Sequence, residues 1–221
     1  MIVARDAEQR CRCLELMHDL SFIWSQWEQD TFFWHNYLHR LGNKGTYVDV
    51  DAYHPEVLSN TALLDMCLGW EGLCIEMNPS HRPIFEQSQR TCKFISSCVL
   101  DGYMEVKMFN YGGVGGGATL HPDSGEPNPT DAPTVSCHPL ASINKMFHVD
   151  LMSLDIEDQE IRALKAFPFD EFRVETLMIE SVHQKDWALN YLMTMNGYRL
   201  EQQLAIDSFF VRKNSTTTPT Y

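Results

Sequence analysis

Two acids, Asp49 and Glu76, each close a short β-rich run, and that placement is the strongest chemical signal in the chain. The runs are Tyr47-Val-Asp-Val-Asp-Ala-Tyr-His-Pro55 and Leu68-Gly-Trp-Glu-Gly-Leu-Cys-Ile-Glu-Met-Asn-Pro79, with Leu58-Ser-Asn-Thr61 between them. They read as strand, loop, helix, strand. In an open α/β sheet, ligands bind in the crevice outside the carboxyl ends of the strands, and an acid there accepts the ribose hydroxyls of a nucleoside cofactor. A carboxylate taking two ribose hydroxyls is geometrically matched, and each charged hydrogen bond is worth about 1.5–3 kcal/mol. The two acids are 76 − 49 = 27 residues apart. That exceeds the roughly 20 usual in dinucleotide folds, and the loop at 51–55 supplies the excess. Asn60 and Thr61 open the next helix, whose N-terminus suits a cofactor carboxylate.

The elements that must position these acids follow from periodicity. Residues 7–20 and 26–41 have helical spacing, the second run ending at Gly42. Strands are expected at 47–50 and 72–76, with Ser59 or Asn60 capping a helix over 61–69. A helix over 82–90 leads to a strand at 92–99 and then to a hairpin-like pair whose clearest strand is 104–109. Residues 110–133 are rich in Gly and Pro and form a loop; with no helix or Lys-Ser/Thr after Gly117 it is not a phosphate cradle. Loops this long are functional lids or disordered insertions. A helix at 140–147, a buried strand at 148–155, a helix at 159–166, a strand at 175–180 and a helix at 185–196 come next. Residues 198–204 and 206–211 pair antiparallel, and 214–221 is a Thr-rich tail. Alternating strands and helices with a final hairpin imply an α/β fold, mostly parallel, with helices on both faces.

Composition narrows the function. The 221 residues are 44% hydrophobic, enough for one full core. Seventeen Lys plus Arg against thirty Asp plus Glu leave a net charge of −13, a field that repels phosphate backbones and anionic headgroups. Nucleic acid is therefore disfavoured as a partner. The seven cysteines, at 11, 13, 67, 74, 92, 98 and 137, are odd in number and show no zinc spacing. Reduced thiols acting as small hydrophobes are the expectation. No stretch reaches the apolar length of a membrane span, so a soluble, cytoplasmic chain is expected, and the sequence leaves oligomeric state undetermined.

Taken together, several segments resemble the FkbM family of S-adenosylmethionine-dependent methyltransferases from about residue 25 to residue 213. They are Ser25-Gln26 with Gln29-Asp30, the two strand segments above, Met152-Ser-Leu-Asp-Ile-Glu157 with Glu160 and Leu164-Lys165, and Asn196-Gly197-Tyr198. The resemblance implies a Rossmann-like methyltransferase domain over 46–213 carrying the 110–133 insertion, preceded by a helical cap over 1–45. It also implies S-adenosylmethionine as cofactor and an oxygen acceptor on a sugar, polyketide or similar small metabolite or glycan. Asp49 would hold the methionine end with the turn at Asp51 and Ala52, Glu76 the ribose, and Gln26 and Asp30, on one helical face with Gln29, would line the pocket. Asp155 or Glu157 would be the general base, with His148 a further candidate if its strand bends it inward. No metal is assigned, although Asp155, Glu157 and Glu180 are the carboxylates one would use. Trp70 is expected to pack and not to stack on a base.

Two glycines of the family pattern are replaced, by Asp51 in the cofactor turn and by Asp158 after Glu157. Asp tolerates a left-handed backbone better than most residues. Its charge matters more: about 4 Å from a cofactor carboxylate it would cost from about 1 to about 4 kcal/mol, whereas toward an ammonium or sulfonium it would attract. The alternative function is therefore a methyltransferase-like domain that has lost its cofactor and serves as an interaction or regulatory module.

Overall fold

The computed structural model describes residues 24–38, 44–110, 118–119, 133–181 and 186–213. The expected helix over 7–20, the tail and most of the 110–133 loop fall outside these residues.

A seven-stranded sheet forms the frame. Its strands are β1 (Thr46–Val50), β2 (Glu71–Glu76), β3 (Lys93–Ser96), β9 (His148–Leu154), β10 (Arg173–Glu180), β11 (Tyr198–Leu204) and β12 (Asp207–Arg212). Their order is β11-β12-β10-β9-β1-β2-β3. β1 pairs parallel with both β2 and β9, β2 with β3 and β9 with β10, while β12 runs antiparallel to β10 and to β11. Five parallel strands therefore point their carboxyl ends at one crevice, and the final hairpin closes the far edge as expected.

The two-residue period of the strands divides the core between two faces. Val48, Val50, Leu73, Ile75, Leu177 and Ile179 join one apolar cluster, which α5 (Glu160–Lys165) and α6 (Asp186–Met195) cover with Ala163, Leu164, Leu189 and Met193. Tyr47, Cys74, Leu151, Met178 and Phe209 join the other, covered by α1 (Gln29–Phe33), the π-helical turn Trp34–Leu38 and α2 (Ala62–Met66). Trp70 is 1% exposed and packs edge-on against Phe33, as expected for a structural residue. At Gly72 the backbone of β2 passes so close to the Tyr47 ring that an added Cβ would meet it at 2.0 Å.

Several boundaries differ from the sequence reading. The helix expected over 26–41 begins at Gln29, because Glu28 is left-handed (φ 66°) and residues 25–28 form bends. The helix over 82–90 shortens to α3 (Arg82–Glu86), and that over 140–147 to α4 (Leu140–Ile143). The strand expected at 92–99 breaks at Ser97 into β3 and β4 (Cys98–Leu100). β4 does not form a hairpin with β5 (Met104–Lys107). Both instead flank β8 (Thr134–Pro139), a strand hidden behind Pro133 in the sequence, in a second, three-stranded sheet. Two short strands, β6 (Phe109–Asn110) and β7 (Ala118–Thr119), pair antiparallel.

The expectation of reduced thiols is overturned. Cys74 on β2 is bonded to Cys92, and Cys98 on β4 to Cys137 on β8. Cys67 is disulfide-bonded as well. Scattered spacing conceals these pairs because one joins β2 to the turn before β3 and the other joins β4 to β8, which sequence distance does not reveal.

Candidate active site

β1 delivers Asp49 and then turns sharply: Asp51 and Ala52 both donate their N–H to the Ile75 carbonyl, and Asp51 adopts φ 67°. This is the left-handed conformation for which the family pattern uses Gly. Glu157 and Asp158 repeat it at the tip of β9, with φ 53° and 70°. Both replaced glycines thus keep the backbone shape of glycine, consistent with the tolerance of Asp for this region.

Beneath these tips lie two cavities. The polar one, about 540 Å³ of empty space, is walled by Gln26, Asp49, Asp51, Asn60, Asp155 and Glu157. The other, about 330 Å³, is bounded chiefly by Val50, Met77, Cys98, Val99 and Ile156, with Asp51, Ser97 and Gln159 at its edge. Asp51 belongs to both walls.

The acids of β1 and β2 are held by donors. Asp49, 3% exposed, accepts from the Thr61 hydroxyl at 2.5 Å. Burial raises its pKa, and the nearby Arg90 guanidinium opposes that rise. Glu76, 1% exposed, accepts from the Tyr53 N–H at 2.8 Å on one oxygen and from the Asn78 N–H at 2.6 Å on the other. His81 Nδ1 lies 3.4 Å from the second oxygen without hydrogen-bond geometry. A carboxylate has about four acceptor positions, and the N–H groups of Tyr53 and Asn78 and the Asp51 carboxyl occupy three of those of Glu76. Asn60 donates to Ser153 Oγ at 3.1 Å, while its own Oδ1 is buried with no hydrogen-bond partner. That orphaned acceptor, on the wall of the polar cavity, fits an ammonium such as the one on a methionine moiety.

The acids of β9 and β10 face one another. One carboxylate oxygen each from Asp155, Glu160 and Glu180 lies within 4.8 Å of the others. Asp155 is pushed well above the usual carboxylate range by burial and then by Glu180. Burial also lifts Glu160 to about 8 and Glu180 to about 7. Asp51 is raised strongly too, by burial first and then by the neighbouring charges of Glu76 and Asp155. Glu160, not the expected Glu157, completes this trio; Glu157 remains on the wall of the polar cavity.

Four expected site residues lie elsewhere. His148 starts β9, at the opposite edge of the sheet from Asp155 and about 20 Å away at the usual strand rise. Its ring is exposed and pairs with Asp150 at 3.3 Å, so it does not bend inward. Asp30 caps its own turn, accepting from Ser25 Oγ and from the N–H groups of Trp24 and Thr31. Gln29 donates to Asp207. Of the proposed helical face only Gln26 reaches the cavity, because the left-handed Glu28 removes it from the helix. Thr61 acts through Asp49 and not on the cavity wall.

Sequence reasoning missed Arg90, Tyr53, Asn78 and Ser153. The backbone donors of Tyr53 and Asn78 carry no side-chain signal. Arg90, one cation in a polar turn, has partners spread over Tyr47 to Cys74 that only folding assembles.

No protein-family model and no curated protein matches the chain. Solved structures do. Methyltransferase FkbM from Methylobacillus flagellatus KT superposes with a TM-score of 0.56 at 14% identity, over 95% of this chain and 56% of that one. A SAM-dependent methyltransferase from Aquifex aeolicus gives 0.42 at 9% identity, over 93% and 96%. The chain thus spans little more than half the length of the Methylobacillus structure. With the strand order and the parallel crevice, that likeness shows a class I methyltransferase fold of Rossmann-like type.

Proposed function

We propose that the chain is an S-adenosylmethionine-dependent methyltransferase acting on a hydroxyl of a sugar, glycan or other small metabolite. The observation that carries this is the pair of cavities meeting at Asp51, one polar and one largely apolar, with Glu76 beside the junction. They match a ligand with a zwitterionic tail at one end and a purine at the other. Asn60 Oδ1 and Asp49 would receive the ammonium, Glu76 the ribose hydroxyls, and Met77, Val99 and Ile156 the purine. When bound, the cofactor supplies a methyl on a sulfonium for in-line displacement. Asp155, facing the polar cavity, would take the proton of the acceptor hydroxyl while passing its own to Glu180, to which it is hydrogen-bonded and whose pKa of about 7 suits general base catalysis near neutral pH. The acidic field of the chain favours neutral or cationic acceptors over nucleic acid.

No helix among the described residues is long and apolar enough to cross a membrane. The disulfides favour an oxidising compartment over the cytoplasm expected from the sequence, because cytosolic reductants keep thiols reduced. Calorimetry with S-adenosylmethionine and S-adenosylhomocysteine tests the central reading. Binding of both is the expected result; no heat at millimolar ligand would leave the fold as a cofactor-free module.

A further inference from the structure

The structure assigns Arg90 as a positioning residue for the cofactor pocket, acting through Thr61 on Asp49 and through Pro55 and Ser59 on the loop that walls the polar cavity. This rests on the reading of that pocket as a cofactor site. The Arg90 side chain is 1% exposed and its guanidinium is saturated with partners. Nε donates to Asp65 at 3.0 Å. Nη1 donates to the Pro55 carbonyl at 2.9 Å and to Ser59 Oγ at 3.0 Å. Nη2 donates to Tyr47 Oη at 3.0 Å and to Thr61 Oγ1 at 2.8 Å.

The direction of these bonds gives the arrangement its effect. A guanidinium only donates, so Thr61 Oγ1 must accept from Arg90 and spend its single proton on Asp49 at 2.5 Å. Asp49 is thereby locked as an acceptor with one oxygen committed, and the other is free to meet a cation in the cavity. Ser59 is fixed in the same way: it accepts from Arg90 and from the N–H groups of Thr61 and Ala62, which sets the start of α2. Lysine has neither the planar fork nor the number of donors to hold both halves of this loop.

Arg90 is itself anchored twice. Asp65 Oδ2 accepts from Arg90 Nε and from the N–H groups of Thr91 and Cys92. Cys92 is bonded to Cys74 on β2, and Arg90 Nη2 lies 3.4 Å from Cys74 Sγ. The segment bounded by that disulfide carries Glu76 near one end and Arg90 near the other, so one covalent link secures both sides of the pocket.

The test uses calorimetry with S-adenosylmethionine on the full chain carrying Thr61→Val, Thr61→Ser or Arg90→Lys, between pH 6 and pH 9. Asp49 faces Arg90, Asp65 and Glu76. With the Thr61 hydroxyl removed, the two acids oppose its ionisation with less to counter them. Thr61→Val should therefore bind about tenfold more weakly at pH 7, the value of one charged hydrogen bond, and recover as pH rises. Thr61→Ser should match wild type, and Arg90→Lys should lose at least tenfold. A folded Thr61→Val protein with wild-type affinity and pH profile overturns the role of Arg90. Should Arg90→Lys fail to fold, the Thr61 pair decides alone. Wild type binding neither cofactor nor its demethylated product would instead sink the cofactor reading itself.

Discussion

On the β1–β2 side of Asp51 the buried acids face donors, and on the β9–β10 side they face each other. Asp49 and Glu76 are met by Thr61, Tyr53 and Asn78. Asp155, Glu160 and Glu180 converge within 4.8 Å of one another, with Glu160 also accepting from the Ile156 N–H at 2.7 Å. The same residue type thus does opposite work. Donors settle the first pair as fixed acceptors, while burial, with like charges crowded beside it, makes the second group hold protons that pH can move. On the proposed function, binding would belong to one half of the crevice and proton transfer to the other.

Breaking the first half should have the largest effect. On the proposed function, Glu76→Ala removes the ribose acceptor, worth about 1.5–3 kcal/mol per hydrogen bond, and should weaken S-adenosylmethionine about 10–10²-fold by calorimetry. Unchanged affinity would show that the ribose lies elsewhere.

The second half should announce itself through pH. Glu160 has its pKa raised from 4.5 to about 8 in the fold, so between these values the native state holds a proton that the unfolded chain releases. Stability from this group is fully present below about 4.5 and is lost as pH rises through about 8. The melting temperature should fall over that interval, and the fall should be smaller by several degrees in Glu160→Gln. A flat wild-type profile would contradict the burial that lifts Glu160. The smallest effect belongs to His148→Ala: methyl transfer should stay within about twofold of wild type, because the ring is exposed at the far end of β9. A larger loss would reverse the assignment of the proton acceptor.

Much of this frame was legible in the sequence because β-rich runs, glycine stops and acids at strand tips are local signals. Tyr47 to Val50 and Gly72 to Glu76 are strands as expected, and Asp49 and Glu76 are buried at their ends. What escaped was set by distance. The Gln26, Gln29 and Asp30 face failed because one left-handed residue, Glu28, interrupts the helical period. β8 was hidden behind Pro133, its pairing with β4 and β5 being a tertiary choice. The disulfides pair residues 18 and 39 apart that only the folded sheets bring together, where no spacing rule reaches. Arg90 draws its meaning from partners scattered over Tyr47 to Cys74.

The bond between Cys98 and Cys137 also decouples the chain between them from the crevice. It fastens together the two ends of a span of 39 residues, at the rim of the apolar cavity that Cys98 helps to wall. Substitutions, insertions or deletions inside that span would leave its two fastened ends, and with them this wall of the apolar cavity, where they are.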